Sequence, residues 1–405
     1  MRIGIDCRTM LNWKRAEEAA GIGHYTYYLV KHLLQEDRVN EYVLFWDKDI
    51  SKRVRREIVG DNRRVTFRNF PFQALSGNLP FIYGHMVISA AFERAKIDLL
   101  HAPANALPLF YHKPAVITVH DLAIYDHPEW FRAQYQGALS FPERVVMPYS
   151  VKKARRIIAV SNQTKKDLVR IFKLKAAKID VVYEGAESPG APGSDDRTEQ
   201  VLAGLRVSRR RYCLYLGNIE PRKNVAAAVR GFARLVSKAP AKYRDLDLII
   251  AGRRGWKYAA DFQAIEEGNA VITAAATAAG LEPREQIRYV GYLAREDKAT
   301  VIGNAAAFVF PSLYEGFGLP VIEAMSLGVP VIASNRSSLP EICADAALLV
   351  DPEKDEEITL ALDKVMAGGD FVAGLSARAR KRAAEFNWRR TARETIKVYK
   401  KTVKA

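Results

Sequence analysis

Two glutamates that flank a glycine-containing loop are the residues whose spacing points most directly to chemistry. Glu315 and Glu323 are separated by seven residues, among them Gly316 and Gly318. Glycines let the backbone approach a ligand closely, and the N-terminus of a helix favours an anion such as a diphosphate. Carboxylates repel that anion, so we expect them to face uncharged hydroxyl groups of the same ligand. A diphosphate that joins two polyols is a nucleotide sugar.

The elements around this loop predict a ligand site at the edge of a sheet. Residues 305–310 are a short apolar run, typical of a buried strand. Pro320 suits the first turn of a helix, which residues 321–327 continue. In sheets of parallel strands, ligands gather at the carboxyl ends of the strands, which is where this loop stands.

Two basic residues stand in a second loop of the same kind. Residues 212–216 predict a strand, residues 225–236 predict a helix, and Arg222 and Lys223 precede the helix. A lysine ammonium group is a compact charge that suits a phosphate, and an arginine offers a bidentate fork. Lys223 is therefore the expected partner of a diphosphate.

A histidine in the first half of the chain occupies a comparable place. Residues 115–119 predict a buried strand, and His120 follows it directly. Whether it is neutral or charged near pH 7, a histidine can donate a hydrogen bond to a sugar hydroxyl. Asp121 would either orient this histidine or cap the helix that follows.

These segments together resemble one family of enzymes. Residues 311–325 resemble the E-x7-E motif of retaining GT-B glycosyltransferases, in particular the mannosyltransferase-like members of glycosyltransferase family 4, also called group 1. Residues 217–224 resemble the G-x-x-x-P-x-K-[GN] motif that neutralises the donor diphosphate in that family. Many members have arginine where this chain has Asn218, so a replacement by Arg222 stays open. Residues 127–131 resemble the H-P-E-W-F loop of the mannosyltransferase-like members.

The resemblance implies an α/β fold of the GT-B type, with two Rossmann-like domains whose parallel sheets face a central cleft. Residues 1–190 would be the acceptor domain, and residues 191–385 the nucleotide-sugar donor domain. Residues 383–404 have a helical pattern, and residues 386–405 would form a C-terminal helix that crosses back to the first domain. Residues 184–197, rich in glycine, proline and acidic side chains, are typical of an interdomain linker.

The resemblance also implies roles for individual side chains. The expected catalytic residues are His120, Lys223, Arg222 and Glu315, of which Glu315 would hold hydroxyls of the transferred sugar. The expected donor-binding residues, with Glu323 on the ribose, are Gly21, Gly23, Asn218, Gly252, Arg253, Tyr292, Leu293, Gly316, Phe317, Gly318, Leu319 and Glu323. The expected acceptor-binding residues are Asn105, Asp121, Trp130 and Ser161. We expect no metal site and no cofactor besides the donor substrate.

By the same resemblance, the chain would transfer a hexose to a hydroxyl of a glycan or lipid-linked saccharide in polysaccharide biosynthesis, with the donor's anomeric configuration retained. The favoured donor is GDP-mannose. A UDP-sugar or rhamnose donor stays open, and so does a protein that binds sugar nucleotides or a membrane surface without turnover. A nucleotide-sugar epimerase of the same fold is disfavoured because such enzymes lack the E-x7-E context.

The charge and composition of the chain indicate which partners besides the donor and acceptor to expect. The formal net charge is +16, with basic clusters such as residues 52–56 and 152–156. This charge is either simply solvated or attracted to anionic lipid, and no nucleic-acid-binding module accompanies it. Residues 70–92 mix aromatic side chains with proline and glycine, typical of a packed helix or of an amphipathic surface that meets lipid. We expect a cytoplasmic protein, with peripheral contact at the inner face of the plasma membrane as an open alternative.

Overall fold

A computed structural model of the protein describes residues 1–12, 17–18, 21–46, 52–60, 62–69, 81–131, 142–187 and 194–404. Contacts between residues divide the chain into two compact units. The first unit comprises Met1–Asp126, Gly137–Gly185 and Asn387–Ala405, and the second comprises His127–Gln136 and Ala186–Phe386. Each unit is built on one parallel sheet, as the alternation of strands and helices in the sequence predicts.

The first unit contains nine strands among the described residues: β1 (Arg2–Asp6), β2 (Leu11–Asn12), β3 (Glu17–Glu18), β4 (Glu41–Trp46), β5 (Val65–Asn69), β6 (Leu99–Ala102), β7 (Ala115–Val119), β8 (Arg156–Ala159) and β9 (Ile179–Val181). Seven form a parallel sheet in the order β5-β4-β1-β6-β7-β8-β9. β2 and β3 form a short antiparallel pair that the sequence did not predict. The helices are Ile22–Glu36, Lys52–Val59, Phe81–Arg94, Ala123–Asp126, Met147–Lys153, Asn162–Phe172 and Trp388–Lys404.

The two faces of this sheet carry separate hydrophobic cores, because successive side chains of a strand point to opposite faces. In β4, Tyr42, Leu44 and Trp46 belong to one core, whereas Val43 and Phe45 belong to the other. The first unit is therefore covered by apolar contacts on both sides of its sheet.

The C-terminal helix Trp388–Lys404 packs on the first of these cores. Trp388 and Tyr399 are buried there together with residues of the helix Ile22–Glu36. The ring of Trp388 stacks on that of Tyr28, with 5.6 Å between the centroids. The expected return of this helix to the first domain is thus confirmed.

The second unit has six strands among the described residues: β10 (Tyr212–Leu216), β11 (Asp247–Ala251), β12 (Ile287–Gly291), β13 (Ala307–Phe310), β14 (Val331–Ser334) and β15 (Leu348–Val350). They form a parallel sheet in the order β12-β11-β10-β13-β14-β15. The helices are Asp195–Gly204, Val225–Lys238, Ala259–Ala278, Arg295–Gly303, Leu319–Ser326, Leu339–Cys343, Asp355–Met366 and Gly369–Ala383. The prediction of two parallel sheets in an α/β fold is confirmed.

Two element boundaries differ from the prediction. The helical pattern expected from residue 383 is interrupted, because the side chain of Asn387 accepts a 2.9 Å hydrogen bond from the Arg390 N–H and starts a new helix. The final helix begins at Trp388, close to the start at residue 386 that the resemblance implied. The end of the expected linker is also helical. The side chain of Ser194 accepts a hydrogen bond from the Arg197 N–H and caps the helix Asp195–Gly204.

The helix Phe81–Arg94 covers the second part of the stretch 70–92, for which the sequence left a packed helix and an amphipathic surface open. Residues 70–80 lie outside the described residues. Ile88 and Phe92 are buried in the second core, whereas Met86 and Val87 are 48% and 40% exposed. This helix therefore packs along one side and presents apolar side chains on another. None of the helices in the described ranges has the length and apolar character needed to cross a lipid bilayer.

Candidate active site

Lys223 is positioned by the 3-10 turn Pro221–Lys223, which connects β10 to the helix Val225–Lys238. The next residue, Asn224, has a left-handed φ of 53°, a conformation in which asparagine is enriched. Its side-chain amide donates hydrogen bonds to the carbonyl oxygens of Pro311, at 3.3 Å, and Pro352, at 2.8 Å. The turn is thereby attached to the loops that follow β13 and β15.

Lys223 and Glu315 form a buried ion pair, with 2.5 Å between Nζ and Oε1. Lys223 follows β10 and Glu315 follows β13, and these strands are neighbours in the sheet. The two side chains are 10% and 8% exposed. The N–H of Leu313 donates a 2.8 Å hydrogen bond to the carbonyl oxygen of Arg222, which joins the two loops directly. Two residues from separate motifs therefore meet in one site.

Arg222 contacts the same carboxylate. Its Nη1 lies 3.4 Å from Glu315 Oε2, and its Nε lies 2.6 Å from Glu220 Oε1. Its Nη1 also donates to the carbonyl oxygen of Tyr314 at 3.3 Å. Two cations and two carboxylates thus form one cluster of balanced charge. Glu220 was not predicted, although it stands inside the motif that carries Lys223.

The protonation of this cluster follows from burial and from its opposite charges. Burial alone would raise the pKa of Glu315, but the charges of Lys223 and Arg222 outweigh it and hold the pKa below its ordinary value. Burial and the charge of Arg222 lower the pKa of Lys223, while Glu315 and Glu220 act in the other direction. Burial raises the pKa of Glu220 in spite of Arg222. Glu315 is therefore an ionised carboxylate that can accept hydrogen bonds from hydroxyl groups.

Glu323 binds a different cation from Glu315. It lies on the helix Leu319–Ser326, and Lys298 Nζ is 2.6 Å from each of its carboxylate oxygens. Lys298 belongs to the helix Arg295–Gly303 and was not predicted, because nothing in the local sequence distinguishes it from a solvated helix residue. Gly318, the residue before the Glu323 helix, has a φ of 111°, where a side chain would be strained.

Two serines hold the loop that contains Glu315, and neither was predicted as a site residue. The hydroxyl of Ser338 lies 3.0 Å from the carbonyl oxygen of Glu315 and 2.9 Å from that of Phe317. The hydroxyl of Ser337 donates to the same Glu315 carbonyl at 2.6 Å. Gly316 and Phe317 are buried within this loop, and Leu319 begins the helix that follows. The backbone around Glu315 is therefore held by side chains from a later loop.

Three loops at the carboxyl ends of β10, β11 and β12 are joined by backbone hydrogen bonds. Gly252 donates to the carbonyl oxygen of Gly291 at 2.7 Å, and Ile219 donates to that of Arg253 at 2.9 Å. Gly252 has a φ of +143°, and a Cβ atom there would lie 1.8 Å from the Gly217 carbonyl oxygen. No other residue type fits this approach. The loop of Asn218 and the loop of Gly252 and Arg253 are thus held together.

Predicted donor-binding side chains on these loops lie at the surface. The Arg253 guanidinium carbon is 4.6 Å from the centroid of the Tyr292 ring, and Tyr292 is 60% exposed. Asn218 is also exposed, whereas Leu293 is half-buried. Arg222 contacts Glu315 and Glu220, and whether it replaces the usual arginine at position 218 stays a prediction.

The first unit collects a second group of predicted residues around His120. Its Nδ1 lies 3.0 Å from Glu184 Oε1, and its Nε2 lies 2.9 Å from the carbonyl oxygen of Pro103. The His120 N–H donates to Asn105 Oδ1 at 3.0 Å. Glu184 was not predicted, although it follows β9 as His120 follows β7.

Ser161 and Asp121 have structural partners near His120. Ser161 Oγ accepts a 3.0 Å hydrogen bond from the Thr164 N–H and caps the helix Asn162–Phe172. The hydroxyl of Thr164 donates to the His120 carbonyl oxygen at 3.2 Å. Asp121 Oδ1 accepts from the Ala123 N–H at 3.3 Å, which favours the capping alternative.

Three further predicted residues are Gly21, Gly23 and Trp130. Gly21 is exposed, with a φ of 63°, and precedes the helix Ile22–Glu36, in whose first turn Gly23 is buried. Trp130 groups with the second unit, not the first, because its carbonyl oxygen accepts a 2.7 Å hydrogen bond from Trp256 Nε1. Lys257 Nζ donates to the neighbouring Glu129 carbonyl oxygen at 2.6 Å.

Comparison with known families matches both halves of the chain. Residues 19–188 match the description "Glycosyltransferase Family 4", and residues 196–383 match "Glycosyl transferases group 1". O-antigen chain mannosyltransferase B of Escherichia coli is 30% identical over 386 residues, which are 94% of this chain and 96% of that protein. The serotype-specific mannosyltransferase WbdA of Escherichia coli is 26% identical over 302 residues, 73% of this chain and 34% of WbdA.

Solved structures show the same fold at low identity. The crystal structure of HepE from Anabaena in complex with UDP and glucose superposes with a TM-score of 0.69 and 17% sequence identity. The superposition covers 99% of this chain and all of HepE. At this identity the likeness describes the fold alone.

Proposed function

The chain belongs to the group 1, family 4 glycosyltransferases, and we propose that it transfers mannose from GDP-mannose to a hydroxyl group of a glycan or lipid-linked saccharide. The name and nearly complete coverage of O-antigen chain mannosyltransferase B support the sugar and a role in polysaccharide biosynthesis. The observation that supports the proposal is the buried Lys223–Glu315 pair, because a lysine that would bind phosphate lies beside a carboxylate that would bind hydroxyl groups.

Lys223 and Arg222 would stabilise the diphosphate as it leaves. Negative charge grows on the leaving oxygen in the transition state, and cations held in a water-poor site stabilise it strongly. Glu315 would accept hydrogen bonds from hydroxyls of the transferred sugar, and Glu323 would accept those of the ribose. In this proposal neither a metal nor another cofactor balances the diphosphate charge.

The proposed reaction retains the configuration of the anomeric carbon. The bond from this carbon to the diphosphate oxygen breaks, and a bond to the acceptor oxygen forms on the same face of the sugar. The acceptor proton passes to the departing phosphate oxygen, so no side chain has to form a covalent intermediate. We place this reaction in the cytoplasm, where the net charge of +16 would favour peripheral contact with anionic lipid at the inner membrane face.

A thermal-shift panel of UDP, GDP, ADP and their sugars tests the donor, followed by measurement of product and its anomeric configuration with GDP-mannose. A ligand that binds only the folded state stabilises it by RT ln(1 + [L]/Kd), so the correct nucleotide should raise the melting temperature most. GDP is the expected one. A larger shift with UDP would favour the UDP-sugar alternative, and a shift without turnover of any sugar nucleotide would favour a binding protein.

Glu323→Ala should weaken nucleotide binding by roughly 10- to 100-fold, the loss expected for hydrogen bonds to a charged group. The matched control is Glu356→Ala, because Glu356 is 59% exposed on the helix Asp355–Met366 and pairs with Arg234 on the surface. Isothermal titration with GDP measures both variants. Equal affinity in Glu323→Ala and wild type would remove the ribose assignment.

A further inference from the structure

Both ring nitrogens of His120 face oxygen atoms that accept hydrogen bonds. Nδ1 lies 3.0 Å from the Glu184 carboxylate, and Nε2 lies 2.9 Å from the Pro103 carbonyl oxygen. A neutral imidazole has one donor and one acceptor nitrogen, whereas an imidazolium has two donors. Because the carbonyl can only accept, one proton must sit on Nε2, and a second proton must lie between Nδ1 and Glu184.

That second proton belongs to the histidine, since the ordinary pKa of an imidazolium is about two units higher than that of a carboxylic acid. Burial lowers the pKa of His120, but the hydrogen bond and the charge of Glu184 outweigh burial and raise the pKa above its ordinary value. The Glu184 side chain is 6% exposed and that of His120 is 13% exposed, so water screens the pair weakly. The geometry and the charges agree on an imidazolium–carboxylate pair.

The other titratable neighbours leave this assignment in place. Asp121, next to His120, adds a further negative charge that favours the cation. His101 on β6 stays neutral, because burial lowers its pKa to about 3. The ring of Tyr25 packs edge-on against that of His120, with 4.7 Å between the centroids. Tyr25 also stays neutral, because burial raises the pKa of its hydroxyl. From the helix Asn162–Phe172, the neighbour is the hydroxyl of Thr164.

We propose that Glu184 is a positioning residue that keeps His120 an imidazolium. Its two ring N–H groups are donated to Glu184 and to the Pro103 carbonyl oxygen, so His120 holds a positive charge at the carboxyl end of β7 and cannot take the acceptor's proton. This inference rests on the proposed function and on the expectation from the sequence that His120 is a catalytic residue beside the sugar. It also agrees with transfer of the acceptor proton to the departing phosphate. The backbone bonds to Asn105 and Thr164 fix the histidine main chain, and Glu184 fixes its charge and ring orientation.

Imidazole ¹⁵N NMR of the full chain, with His120→Gln to identify the resonance, tests the protonation directly. His120 in the wild type should titrate above the ordinary value of 6.5, and Glu184→Gln should lower the midpoint by about 1 pH unit or more. The matched control is Asp180→Asn, because Asp180 on β9 pairs with Arg156 and Lys401 instead of His120. A wild-type midpoint at or below 6.5, or an unchanged midpoint in Glu184→Gln, overturns the inference.

The pH profile of kcat/KM tests the consequence for the reaction. Activity should fall on the alkaline side as His120 loses its proton, and Glu184→Gln should move this limb to lower pH by the same amount as the NMR midpoint. Asp180→Asn should leave the alkaline limb at the wild-type pH. Glu184→Asp, which keeps the negative charge, should also show the limb near the wild-type pH. A limb that stays fixed in Glu184→Gln overturns the inference. If the NMR midpoints of His120 behave as expected but no sugar nucleotide is a donor, the imidazolium is supported and the proposed function is overturned instead.

Discussion

Lys223 and Glu315 stabilise each other in a site that excludes most water. Removing one member of such a pair leaves a buried charge without its partner, which is far less favourable than removing both. Arg222, at 3.4 Å, would remain beside Glu315 and compensate only in part. Under the proposed function, stability and catalysis should separate at this pair, because stability would depend on the charge balance and catalysis on the Lys223 cation itself.

Lys223→Ala should lower the free energy of unfolding of the second unit by about 3 kcal/mol and lower kcat by roughly 10²- to 10³-fold. Glu315→Gln introduced in the same chain should recover stability without recovering turnover. Urea unfolding and initial rates measure the two effects. Recovery of activity in the double variant would mean that Lys223 serves only to balance Glu315, and unchanged turnover in Lys223→Ala would remove it from the diphosphate site.

His101 should make the first unit sensitive to acid. It is fully buried between Tyr399 OH at 2.7 Å and Thr118 Oγ1 at 2.8 Å, and burial lowers its pKa from 6.5 to about 3. In the unfolded chain, His101 takes up a proton as the pH falls below 6.5, whereas in the folded chain it stays neutral down to about pH 3. The contribution of His101 to the free energy of unfolding is therefore fully present above pH 6.5. It falls by about 1.4 kcal/mol per pH unit toward pH 3.

The check is urea unfolding of His101→Gln between pH 8 and pH 4. The variant should start less stable and show a shallower decline with acid than the wild type. His112→Gln is the matched control, because the His112 side chain is 68% exposed. A decline of equal slope in wild type and His101→Gln would assign the acid sensitivity to other groups.

At the scale of elements, the loops after the strands depend on close backbone contact. Gly252 approaches the Gly217 carbonyl so closely that a methyl group at 1.8 Å from this oxygen forces the two loops apart. The hydrogen bonds of Gly252 to Gly291 and of Ile219 to Arg253 would be lost with that movement. Donor binding in the second unit should therefore depend on a residue that offers no side chain.

Gly252→Ala should destabilise the second unit and lower GDP affinity by at least 10-fold. Gly280→Ala is the matched control: Gly280 also has a positive φ, +70°, but no atom lies within 4 Å of the added methyl group. The control should lose only the roughly 1 kcal/mol of stability that the added backbone strain costs, and it should keep its affinity for GDP. Thermal unfolding and titration with GDP measure the difference, and equal losses in the two variants would contradict the close-contact explanation.

At the scale of the whole molecule, the chain completes its first unit only with its last helix. Trp388 and Tyr399 fill the core beneath the helix Ile22–Glu36, and Tyr399 also bonds His101. The helix contributes buried aromatic side chains, which carry large apolar surface areas. The first unit should therefore be incomplete until the helix Trp388–Lys404 has been synthesised.

Removal of residues 387–405 should unfold the first unit while the second keeps its sheet. Hydrogen–deuterium exchange should rise sharply in β1, β4 and β6 and remain slow in β10, β11 and β13. Removal of residues 403–405 alone is the control, since Val403 is 42% exposed. Slow exchange in β1 after the longer truncation would show that the first unit folds without this helix.

Local patterns predicted the strands well, with residues 115–119 and 212–216 placed at the observed bounds. They also predicted that Lys223 and Glu315 stand in loops after strands, because apolar runs and glycine-containing turns depend on neighbours in the chain. The helical pattern from residue 383 did not show the interruption at Asn387, where a side chain caps a new helix, whereas the resemblance placed the start of the final helix at residue 386.

Only the tertiary structure decided which charges meet. Lys223 and Glu315 are 92 residues apart, His120 and Glu184 are 64 apart, and Lys298 lies 25 residues before Glu323. Residue types and spacing along the chain predicted a ligand site beside Lys223, Glu315, Glu323 and His120. Glu184 and Lys298 were not predicted. Their partners depend on the order of strands in each parallel sheet, where β10 lies between β11 and β13, and local periodicity carries no information about that order.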